Sequence, residues 1–434
     1  MDEARDLLEH AARLLAYRTP VLPREEVEAL VGSFLARRDE ILCLAREHGS
    51  PLYVVDRAAL RTRVKRFTRA FDEALPGARH YYALKSNSCP ELVRIIVEQG
   101  MGLDASSGVE LELALDCGAQ DIVFSGPAKR DDELVLAVAH AGRVTVLIDS
   151  FRELERVAAI AAGQGATVPA GVRLMVDNRG LWRKFGIALG DLPAFLARAD
   201  GTAAIDLSGL QFHSSWNMGP GPQVELLTRV GQALAGVSTA WCERIRFVDI
   251  GGGFWPPQGE WLHAVATPEG RLRAAIMGAE PGMSEHYRIP AAPIEVFAQE
   301  LAAAVREHIL PRASCRVHTE PGRWICNDGM HILLTVVDRK GEDVVITDAG
   351  TNAVGWERYE TDYFPVINLS RPGLAEHRCD VLGSLCTPHD VWGFSYHGEG
   401  IEPGDVLLVP TQGAYTYSLR QHFIKPLPQT VVLG

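Results

Sequence analysis

Tyr81-Tyr82-Ala83-Leu84-Lys85-Ser86-Asn87 is the stretch from which the rest of the chain can be read. It is an apolar strand closed by a lysine and then by small polar residues. The same rhythm recurs outward from it. Short apolar runs fall at residues 81–84, 102–104, 122–125, 144–149, 172–176, 209–213, 245–250 and 316–320. Helical patterns lie between them at 91–99, 108–115, 131–139, 151–162, 192–199, 224–234 and 294–308. Eight strands alternating with helices predict an α/β fold, a parallel (β/α)8 barrel. An open doubly wound sheet is the rival reading. The count of eight favours the barrel, as does the clustering of polar residues where strands end. Lys85, Asp104, Ser125, Asp149, His213, Gly251-Gly252-Gly253 and Glu320 sit at or just past predicted ends, while Arg173 falls near the start of its run. In a barrel those ends share one face, where sites are built.

On either side of the barrel the pattern changes. Residues 1–48 read as an N-terminal helical extension, with Leu7, Leu8, Ala11, Leu14 and Leu15 at helical spacing. Residues 49–57 hold a short strand, 58–323 the barrel, and 324–434 a mostly β C-terminal domain. The 49–57 strand is expected to join that β domain, which makes the barrel an insertion. Residues 254–290, rich in Pro, Gly and Trp, read as a long βα loop over the barrel mouth.

Composition bounds the function. The chain has 434 residues, 47% hydrophobic and 23% charged, as expected of a globular enzyme. A net charge of −12 argues against binding a phosphate backbone as the main activity. The eight cysteines include no CxxC pair, which argues against structural zinc. The Met1-Asp2-Glu3 start lacks a basic-then-apolar leader, and no apolar run is long enough for a bilayer, so a cytoplasmic location is expected. Lysine is scarce: there are six, at 65, 85, 129, 184, 340 and 425. A lysine ending an apolar strand is therefore informative.

Six segments could carry chemistry, and each has a plain structural alternative. A desolvated Lys85 would be an amine nucleophile toward an aldehyde, or it is a lysine snorkelling from a strand end. Gly251-Gly252-Gly253, after the run 245–250, could close backbone N–H groups around a phosphate, or make a tight turn. Glu320, in His318-Thr319-Glu320-Pro321-Gly322-Arg323, could hold a pyridine nitrogen protonated, with Gly322 and Arg323 adding phosphate donors; otherwise it is a glutamate in a turn. His213 could stack on a ring or simply be hydrogen-bonded. Cys386, in Gly383-Ser384-Leu385-Cys386-Thr387-Pro388-His389-Asp390, could handle a proton or be an inert thiol. Tyr415, in Gly413-Ala414-Tyr415, could reach a phosphate or pack.

The order of these segments resembles the fold-type III pyridoxal 5'-phosphate (PLP) decarboxylases, the family of diaminopimelate, ornithine and biosynthetic arginine decarboxylases. The resemblance runs from about Ser50 to Tyr417. Tyr82-Ala83-Leu84-Lys85-Ser86-Asn87 is similar to the family's Y-A-x-K-x-N motif, and Asp104-Ala105-Ser106-Ser107-Gly108-Val109-Glu110 to its D-x-S-S-x-x-E. Lys184-Phe185-Gly186 is similar to its K-F-G. The three glycines, Glu320-Pro321-Gly322-Arg323, Cys386 and Gly413-Ala414-Tyr415 follow in order. The resemblance implies an (β/α)8 alanine-racemase-like barrel in which Lys85 holds PLP as its Schiff-base lysine. It further implies that His213 stacks on the ring, Glu320 pairs with the ring nitrogen, and Arg173 lies near the phenolic oxygen. Asp104 contributes to the cofactor site. Gly251, Gly252, Gly253, Gly322, Arg323 and Tyr415 would hold the phosphate. Lys85, His213 and Cys386 would be catalytic, Arg323, Thr387 and Tyr415 would line the substrate, and Cys386 would act across a head-to-tail homodimer. No nucleic acid, membrane or metal partner is expected.

Two departures bear on substrate. The family's H-x-G-S is here His213-Ser214-Ser215-Trp216. Diaminopimelate and ornithine decarboxylases carry an acid after the cysteine to meet the distal ammonium; here it is Thr387, and Asp348–Trp356 lacks an Asn-Pro-Arg. The expectation is a substrate whose distal end is not a free amine: a citrate-linked or acylated amino acid, as in siderophore pathways, or a carrier-bound glutamyl group. The alternatives are a PLP-dependent racemase, which pairs the ring nitrogen with arginine instead of glutamate, and a catalytically inactive regulatory homologue.

Overall fold

The computed structural model describes residues 2–175, 180–278, 285–355 and 360–434. Val176, which ended a predicted strand, Trp356, and residues 279–284 of the predicted loop lie outside them. The chain divides into two compact units, Ala58–Pro257 with Ala292–Cys326, and Met1–Arg57 with Gln258–Ala291 and Asn327–Gly434.

The first unit is the barrel. Its strands are β1 (Arg79–Ala83), β2 (Gly102–Ala105), β3 (Ile122–Phe124), β4 (Val144–Ile148), β5 (Val168–Met175), β6 (Ile205–Gln211), β7 (Phe247–Asp249) and β8 (Arg316–Thr319). They pair in parallel in the order β4-β3-β2-β1-β8-β7-β6-β5, and a β4–β5 pairing closes the ring. Burial on both faces explains why these segments read as continuous apolar runs. Helices follow the strands at Pro90–Glu98, Gly108–Asp116, Asp131–Ala139, Phe151–Gln164, Leu192–Asp200, Gly221–Leu234 and Ile294–Ala304. Their starts are written locally: Ser107 and Ser150 are N-caps whose side chains accept from the backbone N–H of Glu110 and Glu153.

Inside the ring, apolar residues fill the lower layer. Tyr81, Val123, Leu147 and Phe247 form one buried cluster. The Phe247 ring stacks on His318 at 4.4 Å, and it fills the space that a Cβ on Gly209 would need, at 1.9 Å. With the bottom plugged, the layer at the strand ends is the polar one.

One boundary moves a site residue. The sequence places the fifth strand at 172–176 with Arg173 near its start, but β5 begins at Val168. Arg173 therefore sits near the C-terminal end, with the others. Pro169 and Gly171 disguise the early half of the strand. Gly171 is required there because a Cβ would lie 2.9 Å from Leu147 and 3.0 Å from Phe247.

The second unit is built on an eight-stranded sheet. Leu52–Asp56 lies between Met330–Arg339, antiparallel to it, and Gln429–Leu433, parallel to it. Helices Arg24–Leu35 and Arg38–His48 send Val27, Val31, Phe34 and Ile41 into one core with Leu52, Val54, Leu333, Leu408 and Val431. Strands Ile367–Asn368 and Val391–His397 were not legible as separate runs. Residues 258–291 carry more order than a loop: Glu260–Leu262 pairs with Tyr287–Ile289 around the helix Pro268–Met277. That segment belongs to the β unit, held by Thr19, whose N–H and hydroxyl donate to Glu269 at 2.9 and 3.1 Å. Among the described residues no helix is long and apolar enough to cross a membrane.

Candidate active site

Two lysines of the barrel, Lys129 and Lys85, differ in their surroundings. Lys129 has no exposed side-chain surface, and its ammonium donates to Gly126 O (2.6 Å), Leu147 O (2.8 Å) and Glu153 Oε1 (2.6 Å). Three acceptors consume its three protons, so it stays cationic although burial lowers its pKa. It is a structural lysine. Lys85 is different. It stands in the turn that follows β1, with 34% of its side chain exposed and its Nζ 2.8 Å from Asp104 Oδ2. The desolvation expected from sequence is only partial, because a buried carboxylate orients the amine while a third of the chain remains open.

The motif around Asp104 has a mechanical reason. Asp104 is buried near the end of β2 and also accepts from the Ser125 hydroxyl just past β3. The glutamate of the motif, Glu110, bonds the Ser106 N–H at 2.7 Å, and Ser107 caps the helix, so the chain just after Asp104 is pinned. The K-F-G segment serves Arg173. The Arg173 guanidinium lies over the Phe185 ring at 4.4 Å and donates to Ser125 O at 3.2 Å, with Asp149 at 3.9 Å. Gly186 has φ +74°, and a Cβ there would lie 2.7 Å from Arg173 O.

Opposite lies the glycine turn after β7. Gly251 and Gly253 have φ of +67° and +81°, conformations that side chains oppose. A Cβ on Gly252 would lie 2.1 Å from Glu320 O, so the turn can approach the end of β8 only as glycine. Asn217 and Gln223 hold the turn by donating to Gly252 O at 3.3 and 3.2 Å. Two of its N–H groups are already used: Gly251 donates to Asp249 Oδ1 (2.8 Å) and Gly252 to His213 Nδ1 (3.1 Å). The anion cup expected from three glycines is thus narrower, with Gly253 its remaining donor.

That last bond fixes His213. Because Nδ1 accepts, the ring is neutral with its proton on Nε2, 3.2 Å from Ser215 Oγ. Burial lowers its pKa in agreement. Glu320 Oε2 is 3.7 Å away, too far for a hydrogen bond. Glu320 itself is buried, and Gln211 Nε2 lies 3.3 and 3.4 Å from its two oxygens. Burial pushes its pKa up, but the charges of Lys85 and Arg173 pull it down and hold it below the ordinary range, so it is an anion. Gly322 packs on Ser86, and Arg323 lies 4.3 Å over the Trp255 ring.

The barrel thus gathers Lys85, Asp104, Arg173, His213, Gly251–Gly253, Glu320, Gly322 and Arg323 on its strand ends. Cys386, Thr387 and Tyr415 belong to the β unit. Cys386 is exposed on a turn that Asp390 organises by accepting from Leu385 N (2.6 Å), Thr351 N (2.7 Å) and Thr351 Oγ1 (3.1 Å). Tyr415 has φ +56°. Sequence reasoning missed Gln211, Asp249, Asn217 and Gln223. The only signal was a polar residue inside an apolar strand, in Leu210-Gln211-Phe212 and Val248-Asp249-Ile250.

Comparison with known proteins finds a matching family model and several similar chains. The model of the family "Pyridoxal-dependent decarboxylase, pyridoxal binding domain" matches residues 61–327. The diaminopimelate decarboxylase of Methanothermobacter thermautotrophicus is 27% identical over 411 residues, covering 90% of this chain and 88% of the relative. The L-glutamyl acyl-carrier-protein decarboxylase of Niallia circulans is 24% identical, with 89% of each chain covered. The diaminopimelate decarboxylase of Helicobacter pylori, solved with L-lysine, shares the fold at TM-score 0.71 and 22% identity, over 90% of this chain and 93% of that one.

Proposed function

The chain belongs to the pyridoxal-dependent decarboxylase family, and from that premise we propose that its substrate is an amino acid or amino-acid conjugate with no free distal amine. It is a PLP-dependent carboxy-lyase of a small amino-acid substrate. The barrel mouth fits the cofactor on its own terms. It offers a partly open amine at Lys85, an ionised and buried Glu320 whose Oε2 is 3.7 Å from His213 Nδ1, and an unspent N–H at Gly253.

Lys85 would hold the aldehyde carbon through Nζ, and Asp104 steers that amine. Glu320 would hold a proton on the ring nitrogen. When bound, PLP supplies an electron sink for the pair left as the Cα–carboxylate bond breaks. His213, neutral, presents a flat ring and not a competing cation at that point. Arg173, fixed by Phe185 and Ser125, is assigned to the phenolic oxygen, and Gly253, Gly322, Arg323 and Tyr415 to the phosphate. Cys386 is assigned the return of a proton to Cα, acting from a second copy of the chain, so the working enzyme is proposed to be a homodimer. A glutamate at the ring nitrogen favours decarboxylation over racemisation.

The observation that carries the substrate reading is Thr387. A neutral residue directly after Cys386 cannot form the ion pair that a distal ammonium needs on leaving water. A citrate-linked or acylated amino acid fits, as in siderophore assembly, and so does a carrier-bound glutamyl group, the substrate class in the name of the Niallia relative. The test is mass spectrometry of products from free and citrate-conjugated diamino acids and carrier-bound glutamate. CO₂ loss from conjugates at least tenfold faster than from free diaminopimelate or ornithine supports the reading; fast turnover of either free diamino acid overturns it.

A further inference from the structure

Asp249 is as fully enclosed as Asp104, but unlike it has no lysine partner. Its exposure is 0%, at the C-terminal end of β7, in register with Gln211 on β6 and His318 on β8. Its Oδ1 accepts from Gly251 N–H at 2.8 Å, while its Oδ2 has no hydrogen-bond partner. The donors around it are accounted for. Gln211 Nε2 is shared between the two Glu320 oxygens, and Gly252 N–H goes to His213. A buried carboxylate oxygen with no donor, facing a second carboxylate, is untenable as an anion beside an anion.

We propose that Asp249 is a neutral carboxylic acid in the folded protein, donating its O–H to Glu320, and is the positioning residue that leaves this carboxyl pair one negative charge, on Glu320. Glu320 is the anion of the two because the cations Lys85 and Arg173 favour its charge, whereas the charges of Glu320 and Asp104 disfavour one on Asp249. Burial first, then Glu320, raises the Asp249 pKa well above the ordinary value, in the same direction. Of the acceptors near Asp249, the charged carboxylate draws the proton more strongly than the Gln211 amide oxygen, itself without a donor. The consequence is charge matching. One anion, held by an O–H and an N–H, meets one ring-nitrogen cation. A second ionised acid would leave an excess negative charge buried behind the cofactor.

This inference rests on PLP occupying the barrel mouth and not on the identity of the substrate, so its test uses none. The infrared difference spectrum of the cofactor-free protein between wild type and Asp249→Asn should show a protonated-carboxyl C=O band at neutral pH, lost in the variant. An acid held neutral in the fold makes the folded state bind the extra proton. Stability should therefore fall as pH rises from the ordinary aspartate range toward neutrality in the wild type, and less steeply in Asp249→Asn. In cofactor titrations, Asp249→Ala should weaken PLP binding by about tenfold, the scale of one hydrogen bond to a charged group. Asp249→Asn, which retains an N–H donor, should restore binding to within about threefold of wild type on the same scale. Should Asp249→Ala fail to fold, the infrared band decides alone. A carboxylate signature for Asp249 at neutral pH, or PLP binding by Asp249→Asn as weak as by Asp249→Ala, overturns the proposal. Either result leaves the substrate reading intact, since that is judged by products.

Discussion

Replacing Lys129 by methionine separates a lysine that holds the barrel from the one proposed to hold the cofactor. The ammonium of Lys129 bonds two carbonyl oxygens and Glu153, which is 4% exposed. Methionine fills much of the volume but leaves the carboxylate buried and uncompensated. Breaking such a pair from one side costs about 3–5 kcal/mol. At about 2–4 °C per kcal/mol for a domain of this size, the barrel should melt about 10 °C lower. The measurement is calorimetry of cofactor-free protein, because bound PLP would itself raise the midpoint. Lys129→Met prepared in the cold should still take up PLP and keep it covalently after borohydride. Lys85→Met should acquire no such label. The double variant Lys129→Met/Glu153→Leu should regain most of the lost stability, since removing both charges also removes the desolvation penalty. A Lys129→Met protein melting within about 2 °C of wild type would refute the reasoning. So would a covalent label lost from Lys129→Met and kept by Lys85→Met.

Three further outcomes are expected. Gly186→Ala must force a side chain into φ +74° and against Arg173 O at 2.7 Å, at a cost of about 1–3 kcal/mol; PLP titration should show binding weakened about tenfold, because Arg173 is displaced. Asp390→Ala strands the N–H groups of Leu385 and Thr351. It should lower kcat by about tenfold or more, while PLP affinity stays within about twofold, if the Cys386 turn acts in the proton step and does not hold the cofactor. Burial alone would raise the Glu376 carboxyl, but hydrogen bonds from His286 (2.9 Å) and Ser395 (2.5 Å) pull it down to about 2. Its stabilisation of the β unit is therefore complete above the ordinary carboxylate value of 4.5 and is lost as pH falls toward 2. Acid titration of Glu376→Gln followed by circular dichroism should show a flatter limb in that window.

Particular residues show how far the primary structure could be read. All eight barrel strands and the seven helices between them were visible as alternation, because a strand buried on both faces must be apolar throughout and an outer helix must be striped. Lys85 was visible for a compositional reason, being one of six lysines and the one that ends an apolar strand. The first half of β5 was hidden by Pro169 and Gly171, residues that local preference counts against strands, although close packing on Phe247 requires the glycine. The segment 258–291 was hidden in the same way, its short strands too poor in pattern to outweigh the Pro and Gly around them.

By itself the sequence determined that this chain winds into a barrel, that Lys85 and Glu320 reach one face of it, and that a threonine and not an acid follows Cys386. Only the tertiary structure decided the electrical state of the site. Gln211 and Glu320 are 109 residues apart and share hydrogen bonds; His213 accepts a hydrogen bond from a glycine 39 residues further on; Asp249 Oδ2 is left without a donor. Periodicity records which side of a strand faces the core, a local property of the chain. Protonation depends on which donors, charges and waters remain within a few ångströms after folding, and no local pattern encodes that.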